Sequence, residues 1–214
     1  MGDDGTTWDP AAGAVATCVV AQGAGGSTRS PLFDGIAAGL TAGGVSSLRF
    51  DFPYTRAGRR GPDRPPLLLQ AWREALEDAA GRAGGSPLVA SGKSMGGRMA
   101  SMLAAEDGDA FAARALVFFG YPLHPPGRVD ELRVEHLPRI TVPMLFIQGT
   151  ADALARFDLV EETVEKLGDR ARLYPVQGGD HSFRVRGRRR PDREIGEELG
   201  GVAVEFVRDV LGGS

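Results

Sequence analysis

The segment Pro87 to Ala105, PLVASGKSMGGRMASMLAA, restricts the fold more than any other part of the chain. An apolar run, Leu88, Val89 and Ala90, meets Gly92-Lys93-Ser94-Met95-Gly96, and small and apolar residues of helical character follow at once. That order is strand, sharp turn, helix. The turn fits Gly-x-Ser-x-Gly, a nucleophile elbow, in which a serine held in strained backbone geometry points its hydroxyl out above the carboxyl end of a sheet. Glycines 92, 96 and 97 keep side chains out of a turn where strand and helix nearly touch. With 31 glycines in the chain, the pattern alone would arise by chance about 0.2 times per chain of this length. The buried strand before it and the helix after it are what set it apart from a chance match in a loop.

The rest of the chain repeats this alternation. Ala14 to Ala21 (AVATCVVA) is a short β-branched apolar run, the mark of a strand covered on both faces. A Gly-rich turn, Gln22 to Ser27, leads to a helix expected from about Pro31 to Ala42, with proline at its start. Val45 to Phe50 is a second strand, and Leu67 to Arg82 a helix whose inward stripe is Leu68, Leu69, Trp72, Leu76 and Ala79. Arg114 to Phe119, Pro143 to Ile147 and Ala171 to Val176 read as further strands, with helices at about Ala155 to Leu167 and Glu197 to Leu211. The expectation is an α/β fold: a mainly parallel sheet of about six strands with helices on both faces. Ligands of such sheets bind beyond the carboxyl ends of the strands.

The 214 residues suit one domain spanning 1–214, with 1–13 a flexible or loosely packed N-terminal segment. The first residues carry acids where a secretory signal needs bases, and no apolar run approaches the length of a membrane span. The lone Cys18, inside a strand, reads as a buried thiol in a reducing cytoplasm. A cytoplasmic protein that avoids membranes is expected.

A serine hydroxyl needs a base to take its proton, and the base needs an acid to hold its tautomer. Behind an elbow of this kind the chain order is Ser, then Asp or Glu, then His. Of the three histidines, His124 and His136 precede the strand that should present the acid, leaving His181 in Gly178-Gly179-Asp180-His181-Ser182-Phe183. Pro143 to Ile147 ends in Gln148-Gly149-Thr150-Ala151-Asp152, which puts Asp152 at a strand end on the edge of Ser94 and His181. Asp158 and Asp180 are alternative acids, although Asp158 falls in the next helix and Asp180 is better suited to holding the loop. The oxyanion of a tetrahedral intermediate needs two backbone N–H donors, expected from Met95 and Ala24. Tyr121 and His124, after the fourth strand, are expected to overhang the substrate pocket.

Gly23-Ala24-Gly25-Gly26, the Arg49 to Tyr54 strand end, Gly92 to Arg98, Gly120 to Gly127, Gln148 to Asp152 and Asp180 to Phe183 together resemble a small cap-less branch of the α/β-hydrolase superfamily. That branch is distantly similar to dienelactone hydrolases and includes testis-expressed and chromatin-complex relatives. The resemblance implies an α/β-hydrolase fold with no large cap domain, and it says little about substrate. Gln22 departs from the pattern, since many members have His before the Gly, and this affects how the oxyanion loop is braced.

The run Arg184 to Arg193 (RVRGRRRPDR) is strongly basic in a chain of net charge −3. It lacks the interleaved aromatics of a nucleic-acid surface and is read as a solvated loop, with steering of an anionic substrate as the alternative. Lys93 and Arg98 are expected in solvent or paired locally. Three scattered His and one Cys give no metal-ligand spacing, and no cofactor is implied. The sequence thus predicts a serine hydrolase of a small-molecule acyl ester or thioester. Its rival is a hydrolase fold kept as a protein-interaction module.

Overall fold

The computed structural model describes residues 5–212. Its strands are β1 (Thr6–Asp9), β2 (Ala16–Ala21), β3 (Val45–Phe50), β4 (Leu88–Lys93), β5 (Leu116–Phe119), β6 (Met144–Gly149) and β7 (Ala171–Val176). The helices are α1 (Pro31–Ala42), α2 (Pro53–Arg56), α3 (Pro65–Arg82), α4 (Met95–Asp107), α5 (Phe157–Leu167) and α6 (Asp192–Gly212). One sheet runs in the order β1-β3-β2-β4-β5-β6-β7. Neighbours from β3 to β7 are parallel, and β1 alone is antiparallel.

Strands β2 to β6 are buried along their whole length, as their continuous apolar runs require of strands covered on both faces. Leu48, Ala90, Phe118 and Phe146 face the core under α3, α4 and α5. Cys18, Val89, Val117 and Ile147 face the opposite core, under α1 and α6. Those last two helices pack backbone to backbone. A Cβ placed on Gly35, Gly39, Gly196 or Gly200 would lie within 2.5 Å of a carbonyl oxygen of the facing helix, so only glycine fits there.

The sheet has seven strands rather than six, and the additional one lies in the segment expected to be loosely packed. Thr6 to Asp9 pair with Phe50 to Ser47, and Asp9 accepts from Arg49 Nε at 2.9 Å and from Ser47 Oγ at 3.1 Å. Arg49, nearly buried, also donates to Asp34 of α1 at 2.8 Å, so one guanidinium ties the edge strand to the helix layer. Being short, polar and bounded by Pro10, β1 carries none of the apolar pattern that reveals the other strands. Residues 1–4 of the expected loose segment lie outside the described residues. No helix among the described residues is long and apolar enough to cross a membrane.

Candidate active site

The reversal of strand order beside β2 puts the end of β2 next to the end of β4, where ligand sites of such sheets arise. Ser94 follows β4 with φ 52° and ψ −117°, a left-handed backbone that a non-glycine residue adopts only under constraint. The constraint is the contact of strand with helix. A Cβ on Gly92 would sit 2.5 Å from the Gly97 nitrogen, and one on Gly96 would sit 2.4 Å from the Gln22 carbonyl oxygen. Trp72 of α3 donates its indole N–H to the Gly96 carbonyl at 3.1 Å, and the Ser94 N–H donates to Phe119 at 3.2 Å.

His181 and Asp152 meet this serine. His181 Nε2 lies 2.9 Å from Ser94 Oγ, and His181 Nδ1 lies 2.7 Å from Asp152 Oδ2. With Asp152 ionised, that second contact needs the ring proton on Nδ1, which leaves the Nε2 lone pair to accept the serine hydroxyl. The Asp152 side chain is fully buried and further held by Gln148 Nε2 at 2.7 Å and the Leu154 N–H at 2.8 Å. The His181 side chain keeps 27 % of its surface, so the imidazole is partly open to solvent while its acid partner is sealed.

The other two acids lie elsewhere. Asp180 accepts the N–H groups of Ser182 and Arg184 at 2.8 and 3.0 Å and so shapes the loop carrying His181. Asp158 pairs with Arg156 at 2.8 Å on α5. His136 makes a second histidine–serine contact, 2.7 Å from Ser101 Oγ, but of different chemistry. Ser101 is buried in α4 and donates its hydroxyl to the Arg98 carbonyl, so His136 is the donor of the pair. Burial, reinforced by nearby Arg98, pushes the His136 imidazole down to about 4, which keeps it neutral.

The loop after β2 packs on the elbow: a Cβ on Gly23 would be 3.4 Å from Ser94 Cβ. Asp51, at the end of β3, holds that loop by accepting from the Thr28 N–H at 2.6 Å and from Ser27 Oγ at 2.7 Å. Gln22 braces it from below, its side-chain amide donating to the Tyr54 hydroxyl at 3.0 Å and also to Thr55 Oγ1. The same Tyr54 hydroxyl accepts the Gly25 N–H at 3.3 Å. The departure at position 22 therefore keeps a brace on the loop, routed through tyrosine.

Two expected pocket residues are corrected. Tyr121 is 1 % exposed and donates to the Arg133 carbonyl at 2.8 Å, with its ring against Phe118 and Phe146. His124 is 2 % exposed and accepts the Arg156 N–H on Nε2 at 3.1 Å. After Gly120 the chain dives into the core, so both side chains brace the Pro-rich segment and present no surface to a substrate. Lys93 and Arg98, expected in solvent or paired locally, are buried and half-buried. Lys93 Nζ lies 5.6 Å from the Phe183 ring centre. Burial pulls its amine down to about 8, against the opposing pull of Asp152 and Asp180. Nothing in a strand-end lysine signals this, because the covering ring arrives from the far side of the sheet in the His181 loop. Among the described residues no group of three or more His, Cys, Asp or Glu converges as a metal site.

With this geometry established, known proteins place the chain. Est1E from Butyrivibrio proteoclasticus superposes with a TM-score of 0.68 at 18 % identity, over 97 % of this chain and 94 % of its own. An α/β serine hydrolase without a lid from Xanthomonas campestris gives 0.72 at 21 % identity, over 98 % and 90 %. A dienelactone hydrolase from Anabaena variabilis gives 0.69 at 22 %, over 95 % and 90 %. At these identities the likeness is one of fold. The narrower similarity to testis-expressed and chromatin-complex proteins rests on the sequence motifs alone. Residues 14–207 match the family described as alpha/beta hydrolase domain, and the chain belongs to that family.

Proposed function

We propose that the protein is a serine hydrolase cleaving a small acyl ester or thioester through a covalent acyl-enzyme on Ser94. The observation that carries this reading is the pair of contacts on one imidazole, 2.9 Å to Ser94 Oγ and 2.7 Å to the buried Asp152. Ser94 Oγ attacks the acyl carbonyl carbon as its proton passes to His181 Nε2, and Asp152 stabilises the resulting imidazolium. The carbonyl oxygen becomes an oxyanion that accepts the N–H groups of Met95 and Ala24. Met95 is the first residue of α4, so its N–H has no acceptor within the helix and is available for this. Collapse breaks the bond to the alcohol or thiol, which leaves with the proton from His181. Water, deprotonated by the same imidazole, then attacks the acyl carbon, releasing the carboxylic acid and restoring Ser94.

A fluorophosphonate probe tests the reading without knowledge of the substrate. It should label the wild-type protein and spare Ser94→Ala, and the variant should lose hydrolysis of a short nitrophenyl ester while retaining its fold. A variant that hydrolyses the ester at the wild-type rate would overturn the mechanism.

A further inference from the structure

A cavity of about 460 Å³ lies between the segment after His181 and the start of α6. Its volume falls in the range of small-molecule sites, roughly 300–1,000 Å³. Neither Ser94 nor Asp152 nor His181 lines it. Its floor is apolar, formed by Val176, Phe183, Val185, Ile195 and Leu199. Phe183, Ile195 and Leu199 are almost fully buried, so the floor belongs to the core rather than to a passing surface patch.

The rim has the opposite character. Arg184, Arg188, Arg189 and Arg190 line it together with one carboxylate, Glu198. Two of the four arginines are already neutralised and serve as struts. Arg184 forks onto Asp192 at 2.9 and 2.6 Å, and Arg190 holds Glu198 at 2.7 Å. Both contacts tie the loop to α6, which holds the cavity wall in place. Arg188 and Arg189 have no ion-pair partner among the described residues, and they stand over the apolar floor with their charge uncompensated.

An apolar floor under two free guanidinium groups fits a ligand with one apolar end and one anionic end. A guanidinium presents paired N–H donors that match the two oxygens of a carboxylate. We propose that this cavity is a second ligand site, separate from the Ser94 site, that takes an aliphatic carboxylate, with its tail along Val176 and Val185 above the buried Ile195 and Leu199 and its head on Arg188 and Arg189. Phe183 lies at the base of this cavity, its ring also covers the Lys93 amine, and its backbone lies two residues from His181.

Methyl-resolved NMR with octanoate as the probe tests this by location, independently of any turnover at Ser94. The methyl signals of Ile195 and Leu199 should shift saturably with octanoate. Acetate, which lacks the tail, and octylamine, which reverses the head charge, should bind at least about tenfold more weakly. Arg188→Gln with Arg189→Gln, both exposed positions that threaten no core contact, should weaken octanoate by about tenfold, and raised salt should weaken it in the parent protein. Three results would each overturn the proposal: no saturable shift at Ile195 and Leu199, equal affinity for octylamine, or unchanged affinity in the double variant.

Discussion

Lys93→Met should make the protein more stable, and by an amount that depends on pH. Lys93 is 8 % exposed, its ammonium lies 5.6 Å from the Phe183 ring centre, and its surroundings pull its pKa from 10.5 to about 8. At 1.36 kcal/mol per unit, holding the charged form in the folded protein costs about 3 kcal/mol, with the attractions of Asp152 and Asp180 already included in that value. Methionine fills the same volume with no charge to desolvate, so at pH 7 it should recover most of this. For a chain of this size that corresponds to a rise in Tm of roughly 6–12 °C. The folded pKa lies below the unfolded one, so between about 8 and 10.5 the unfolded chain holds more protons and the parent gains stability as pH rises. The variant lacks that gain. The assay is a pair of urea melts at several pH values, in which every other titrating group cancels from the difference. A constant gap is expected below pH 8, narrowing towards zero by about 10.5. A gap of unchanged size from neutral to alkaline pH, or a variant less stable than the parent, would refute the burial argument.

Asp152→Asn should lower kcat on a short ester by about 10³–10⁴-fold with little change in KM, because the amide favours the imidazole tautomer that cannot accept the Ser94 proton; steady-state kinetics decide it. Gln22→Ala removes the donor to Tyr54 and Thr55 and should cost about 1–3 kcal/mol by denaturant melt, with kcat falling if the loop after β2 supplies the proposed oxyanion donor. Tyr121→Phe leaves the Arg133 carbonyl without its donor and should cost about 1–3 kcal/mol. A change in its KM without a change in stability would contradict the structural role given to Tyr121.

The elbow and its partners were legible because each is announced locally: a β-branched run, then glycines, then one chemically distinctive residue. What stayed hidden depends on contacts between distant segments. Thr6 to Asp9 has the composition of a loop and becomes a strand because Arg49 and the β3 edge receive it. The start of α6 was misplaced for a related reason. The sequence places this helix from Glu197, whereas it begins at Asp192 and contains Gly196 and Gly200. Glycine is a poor helix former in isolation, yet here it is required so that α1 can approach to backbone contact. Tyr121 and His124 follow a strand end, which the general rule assigns to the ligand edge. Yet the His124 N–H donates to the Leu154 carbonyl at 3.1 Å, and the segment is drawn down into the core.

The same topology explains why chain order anticipated the meeting of Ser94, His181 and Asp152 when it failed for these neighbours. Parallel strands deliver all their carboxyl ends to one edge, so Ser94, Asp152 and His181 share that edge whatever the helices do between them. Sharing an edge is not contact. With strands about 4.8 Å apart, β6 stands about 10 Å from β4 and β7 about 14 Å from it, so the loop after β7 has to travel back across the end of β6 to reach the serine. The residue at that crossing is Gly149, where a Cβ would lie 2.2 Å from the Gly179 carbonyl oxygen. Next to it the Ala151 N–H donates to that same carbonyl at 2.9 Å, and Thr150 Oγ1 accepts the Gly178 N–H at 2.8 Å. The acid loop therefore serves as the bed on which the histidine loop lies. The hydrogen bond between Asp152 and His181 is the side-chain continuation of a backbone contact already made beneath it.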